Sequence, residues 1–271
     1  AIYGRAPRDY LGAGFWGQPS SPVLAAFLDD DGLADIVMAA PLGHGPPGYD
    51  REPTGHVQIV YGSASLPRSV DLLFPGTERR LAIYGAQADD HLGSATAAGD
   101  LDGGGQTDLV VGAMEARRGP AGPITGAAYV FYGPLAPGGI DLSTTAADLT
   151  IFGPARDPGE RDWFGAHLLV ADFDGDTLGD LLIDAPTASH PDGSRPCCGE
   201  AVVISGVELA SVPRGGTIDL STEPGRVGTH IFGATSRSSC GWEVLLKLSR
   251  SFDPFGAGDV NGDSMDDLVL G

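Results

Sequence analysis

The chain has 271 residues, with 42 glycines, 21 prolines and a formal charge of −20. Its 42% hydrophobic content is enough for a real core and argues against wholesale disorder. Acidity this strong argues against nucleic acid as a partner, because phosphate binding needs a basic face, and no apolar run approaches the ~18 residues that cross a bilayer.

High glycine and proline with only 19% charged residues suits short strands joined by tight turns. From the first residue, AIYG (1–4) reads as a short strand ending in an aromatic residue and glycine. Leu11-Gly12 follows, then an aspartate cluster running into an apolar strand, FLDDDGLADIVMAAP (27–41). A glycine-led segment, GHVQIVYG (55–62), and a second aromatic–glycine strand, LAIYG (81–85), complete a unit.

The same order then returns. Leu92-Gly93, GDLDGGGQTDLVVGA (99–113), GAAYVFYG (126–133) and LTIFG (149–153) make the second unit. Phe164-Gly165, ADFDGDTLGDLLIDAP (171–186), GEAVVISG (199–206) and THIFG (229–233) make the third. In the fourth, Cys240-Gly241 and Phe255-Gly256 both fit the opening pair, before GDVNGDSMDDLVLG (258–271). The closing aspartates Asp35, Asp108, Asp180 and Asp267 are 73, 72 and 87 residues apart.

The apolar runs are β-branched or aromatic, four to eight residues long and bounded by glycine, which predicts strands and not helices. Four strands per unit of about 70 residues is one blade, and stacked blades make a propeller. The fold class expected is therefore all-β: a β-propeller of four-stranded antiparallel blades. The repeats run over about 5–85, 86–153, 154–233 and 234–271. The last repeat lacks its glycine-led strand, so residues 1–4 are expected to complete it if the ring has four blades. A larger ring is the alternative.

The order Phe-Gly, then Asp-x-Asp-Gly-Asp-x-x-x-Asp, then a strand ending in Gly-Ala-Pro or a variant resembles the FG-GAP repeat of integrin α subunits and many secreted microbial proteins. The third unit carries it best, with Phe164-Gly165, Asp172 to Asp180 and Asp184-Ala185-Pro186. The resemblance spans nearly the whole chain. It implies extracellular protein or matrix binding, a secreted or cell-surface location, and calcium loops on the face away from the ligand.

Alternating aspartates gather carboxylates on one side of a tight loop, where a hard cation with six to eight oxygens can collect them. In the third loop the expected ligands are Asp172, Asp174, Asp176, the carbonyl of Leu178, and Asp180. The fourth offers Asp259, Asn261, Asp263, Met265 and Asp267. The second offers Asp100, Asp102, Gln106 and Asp108, with Gly104 where a carboxylate is missing. Phe27 opens the first loop, leaving Asp29, Asp31, Leu33 and Asp35. Up to four structural calcium ions are expected, with occupancy ranked third, fourth, second, first; metal-free Asx-turns are the alternative for each loop. An EF-hand is rejected, because position 12 falls on Ile183, Val111 and Leu270 instead of a glutamate.

Enzyme signals are weak. Gly43 to Gly48 matches the dinucleotide pattern but holds two prolines and opens no helix, and no Gly-x-Ser-x-Gly elbow occurs. His56, His167 and His230 lie in strands as satisfied core residues, and the tryptophans are expected to pack between blades. Cys197 and Cys198 are either plain thiols or supply one bridge to Cys240. The reading is a non-catalytic binding propeller, with a calcium-dependent lectin and an accessory domain of a secreted hydrolase as alternatives. Its partner, an extracellular protein or glycan, is expected on the face opposite the aspartate loops, at Tyr49, Arg51, Arg117, Arg118, Arg156 and Arg161.

Overall fold

A computed structural model describes residues 1–5, 9–12, 23–47, 52–74, 76–119, 121–154, 161–221, 227–235, 255–262 and 265–270. The chain is all-β in several antiparallel sheets, with one short helix among the described residues. In order, its strands are β1 (Ile2–Tyr3), β2 (Val23–Ala26), β3 (Asp35–Ala40), β4 (His56–Val60), β5 (Val70–Asp71) and β6 (Arg80–Tyr84). Then come β7 (Leu92–Gly99), β8 (Asp108–Ala113), β9 (Ala127–Phe131), β10 (Gly138–Asp141) and β11 (Leu149–Phe152). The third unit holds β12 (Leu168–Ala171), β13 (Asp180–Ala185), β14 (Glu200–Ile204), helix α1 (Gly206–Ala210), β15 (Gly216–Asp219) and β16 (Thr229–Phe232). Last are β17 (Phe255–Gly258) and β18 (Asp267–Leu270).

The first three repeats build the expected antiparallel meander, β2-β3-β4-β6, β7-β8-β9-β11 and β12-β13-β14-β16, and the described strands of the fourth, β17 and β18, form one hairpin ladder. The aspartate clusters are the hairpin loops between the first two strands of each. Neighbouring sheets pack face to face. Leu109, Val111, Tyr129 and Phe131 of the second unit bury against Val37, Val57, Ile59 and Ile83 of the first. Leu181, Ile183, Val202 and Ile204 of the third do the same against Val110, Val130, Leu149 and Ile151 of the second. Side chains of this size contribute about 1.5–3 kcal/mol each when fully buried, so these faces dominate the stability.

The glycine that leads the third strand has a steric cause. Gly55 pairs with Leu92 and Gly126 with Phe164, the first residue of the next unit's Leu-Gly or Phe-Gly pair. A Cβ on Gly55 would sit 2.3 Å from the Leu92 backbone, and one on Gly126 2.1 Å from the Phe164 carbonyl. Both glycines also hold positive φ, +76° and +71°. The two sequence signatures are thus halves of one contact between units.

A fifth strand on the first and second sheets falls outside the expected four per blade. β10 adds in parallel to β6, with Ile140 opposite Ile83, and β15 adds in parallel to β11, with Ile218 opposite Ile151. β5 pairs with β1 the same way, Val70 opposite Ile2. The leucine after each of these strands fixes the register: the N–H groups of Leu72, Leu142 and Leu220 donate to the carbonyls of Tyr3, Tyr84 and Phe152. The second and third units therefore each clasp the outer strand of the unit before, and β5 of the first clasps β1. The sequence signal is Val-Asp-Leu at 70–72 and Ile-Asp-Leu at 140–142 and 218–220, whose aspartates accept the N–H two residues on.

The clasp also bears on ring closure. Among the described residues, β1 pairs with β5, while β17 and β18 form a separate two-stranded ladder. The described sheets form no closed ring.

Candidate metal centres

Every closing aspartate begins the second strand of its unit, and in the first three units both its carboxylate oxygens accept backbone N–H groups. Asp35 accepts the N–H groups of Leu28 (2.7 Å) and Gly62 (2.8 Å), Asp108 those of Leu101 and Gly133 (both 2.8 Å). Asp180 accepts those of Phe173 (2.7 Å) and Gly206 (2.9 Å), and Asp267 accepts that of Val260 (2.8 Å). In the first three units this residue ties the loop's start to the end of the third strand. Burial pushes the carboxyls of Asp35 and Asp180 up, and that of Asp108 to about 6, against the pull of those two backbone donors.

In the third loop, Asp172, Asp174 and Asp176 bring carboxylate oxygens within 4.8 Å of one another. Local N–H donors hold them: Gly175 and Thr177 to Asp172 at 2.7 and 3.0 Å, Asp176 to Asp174 at 3.1 Å, Leu178 to Asp176 at 2.8 Å. Gly175 makes the turn at φ +78°. In the second loop, Asp100, Asp102 and Asp108 converge within the same distance. There Oδ2 of Asp100 accepts the Gly105 N–H at 2.9 Å, while its Oδ1 is buried without a hydrogen-bond partner. An orphaned carboxylate oxygen inside an all-oxygen donor set fits a hard cation such as calcium. Gln106 and Leu178 occupy the positions whose carbonyls were expected to add to these sets.

The first loop differs. The guanidinium of Arg79 lies 2.6 Å from Asp29 and 3.6 Å from Asp31 and packs over the Tyr61 ring. An arginine of the same unit thus pairs with Asp29 and Asp31, two of the carboxylates expected to hold a cation together with Leu33 and Asp35. In the fourth loop, Asp259 accepts the Gly262 N–H at 2.5 Å and the Asn261 amide donates to Asp267 at 3.2 Å. Met265 follows in the loop, and Asp263 lies outside the described residues.

The arginines expected to meet a partner are divided. Arg118 donates to the Ser221 hydroxyl (2.6 Å) and the Gly153 carbonyl (3.1 Å), pairs with Asp219 (2.7 Å) and stacks on Phe152. It fastens the clasp of β15 on β11. The exposed Arg161 pairs with Glu115, itself 3.6 Å from His91, and Arg117 bridges to Ile124 beside Asp90. Tyr49, Arg51 and Arg156 lie outside the described residues, as do Cys240, Trp16 and Trp242.

The three histidines all have partners: His56 is buried in β4, His167 is buried just before β12 instead of in a strand, and His230 is half-buried in β16. His56 faces the His44 carbonyl at 3.3 Å, His167 pairs with Asp184 at 2.8 Å, and His230 with Glu200 at 2.6 Å. A buried aspartate before each unit's ring-bearing residue went unnoticed in the sequence. Asp9, Asp90 and Asp162 are buried, and Tyr10, His91 and Trp163 after them all take φ near +55°.

No family model matches the chain. It is 33% identical over 174 residues, 63% of its length, to the phosphatidylinositol-glycan-specific phospholipase D of Rattus norvegicus. The proteins of the same name from Bos taurus and Homo sapiens are 33% and 32% identical over 191 and 189 residues, each 69% of the chain. The chain spans about a fifth of the length of these relatives. Among the described residues, no helix is long and apolar enough to cross a membrane. The expectation of a protein outside enzymology is overturned, because the curated relatives it matches are named as enzymes.

Proposed function

We propose that the chain is the repeat portion of a secreted phospholipase D-type hydrolase that acts on phosphatidylinositol-glycan anchors. The observation that carries this reading is the 32–33% identity to phospholipases of that name over 60–69% of the chain. It favours the hydrolase reading over adhesion or a lectin. Four in-phase FG-GAP-like units support a rigid scaffold within such an enzyme, stapled by calcium in the second and third loops and by Arg79 in the first. A glycan-bearing anchor fits the extracellular glycan partner that the sequence suggests.

The test uses the full polypeptide that carries these residues, calcium-replete, on vesicles bearing a glycolipid-anchored protein. A phospholipase D breaks the phosphate bond distal to the diacylglycerol. The anchored protein should therefore pass into the aqueous phase while phosphatidic acid accumulates in the vesicles. Folded protein that releases neither, or that leaves diacylglycerol instead, overturns the assignment.

A further inference from the structure

Successive aspartate loops touch one another, and the contact is the same twice. The N–H of Gly179, in the third loop, donates to the carbonyl of Asp100, which opens the second, at 2.7 Å. The N–H of Asp266, in the fourth loop, donates to the carbonyl of Asp172, which opens the third, at 2.9 Å. These are equivalent positions: the donor stands one residue before the closing aspartate, and the acceptor is the first aspartate of the loop before.

A side chain accompanies each bond. Leu178 Cδ2 lies 2.9 Å from where a Cβ on Gly103 would stand, and Met265 Cγ lies 3.0 Å from the same point on Gly175. Glycine at the fourth position of each loop therefore serves two ends. It permits the turn, at φ +73° and +78°, and it leaves the hollow that seats the next loop's seventh residue.

We infer that cation binding is coupled between the second and third loops. This rests on the cation reading of the loops proposed above. A cation that draws in the Asp100 carboxylate, whose Oδ1 is buried without a partner, also fixes that residue's backbone. The Asp100 carbonyl then holds the Gly179 N–H, directly between Leu178 and Asp180, two residues of the third ligand set. Ordering one loop thus prepays part of the ordering of the next, and coupling between binding sites is reciprocal. The acidic loops also repel one another, which opposes the effect. At ~150 mM salt the screening length is about 8 Å, so the direct contact should outweigh repulsion between ions on separate loops.

A double-mutant cycle on calcium binding by the 271-residue chain tests this. Isothermal titration gives the total binding free energy of the native chain, of Asp100→Asn/Asp102→Asn, of Asp174→Asn/Asp176→Asn, and of all four substitutions together. Circular dichroism confirms that each remains folded. The expected result is that losing both loops costs less than the sum of the separate losses, by a factor of about five or more in affinity, the lower end of ordinary coupling. Leu178→Ala keeps every carboxylate and should shrink that factor while both sites still fill. Additive losses within twofold overturn the coupling and leave the cation sites standing. A native chain that takes up no calcium overturns the cation reading and the coupling together.

Discussion

The Arg79 guanidinium lies 2.6 Å from the Asp29 carboxylate, in the loop where Phe27 has replaced the opening aspartate of the repeat. One unit thus carries its counter-charge covalently, while the next two present converged carboxylates. The loops should respond differently to chelation.

A cation that binds only the folded state stabilises it by about 2.7 kcal/mol at a hundredfold excess over its Kd. We expect chelation to lower the melting temperature of the native chain. Asp174→Ala should abolish much of that shift, since Asp174 belongs to the third loop's converged set. Asp29→Ala should leave the calcium response intact. Thermal melts with and without chelator decide it, and equal responses from both variants would count against the distinction.

The closing aspartates carry a cost of their own. Asp180 accepts two backbone N–H groups, those of Phe173 and Gly206. Asp180→Ala should destabilise by roughly 2–4 kcal/mol, because buried donors are left without acceptors. The loss should persist in chelator, which separates a backbone tie from a pure ligand role. Urea denaturation in both conditions measures it.

Arg118→Ala should loosen the clasp between the second and third units. It removes an ion pair to Asp219, bonds to Ser221 and Gly153, and the stacking on Phe152. We expect a loss of about 1–3 kcal/mol and faster proteolysis within residues 213–221. Unchanged melting and an unchanged cleavage pattern would return Arg118 to the pool of surface cations.

Two buried groups give opposite pH dependences. Burial lowers the His56 imidazole to about 4, so its contribution is present above 6.5 and is lost as pH falls towards 4. Burial raises the Asp90 carboxyl to about 7, so its contribution is complete below 3.8 and is lost as pH rises through 7. Asp90→Asn should therefore raise the melting temperature at pH 8 relative to the native chain, with the difference fading towards pH 4. His56→Gln should flatten the acid side alone. Melting curves across pH 4–8 test both signs.

Much of this architecture is legible in the sequence because its signals are short and contiguous. The aspartate loops, the glycine-led strands and the Leu-Gly or Phe-Gly pairs each occupy a few adjacent residues, and their order repeats. The clasps escaped because Val70, Ile140 and Ile218 follow the glycines after their units' third strands, Gly62, Gly133 and Gly206, at unequal distances of 8, 7 and 12 residues. Nor does a two- to four-residue strand declare which neighbour it joins. Arg79 and Asp29 are 50 residues apart, and Arg118 and Ser221 are 103 apart. Such pairs carry no local pattern, so a charged side chain reads as surface until the fold supplies its partner. Non-catalytic adhesion was the wrong inference because a repeat scaffold reveals its packing more readily than its employment.

The clasp also sets a schedule. The outer edge of β6 stays uncovered during synthesis until β10 has emerged, about fifty residues behind Tyr84. At ~5–20 residues per second, that is roughly 3–10 s in which a nascent strand edge can pair with a neighbouring chain. Each unit therefore leaves the ribosome needing its successor, and a pause within residues 85–138 should promote aggregation more than one after β10.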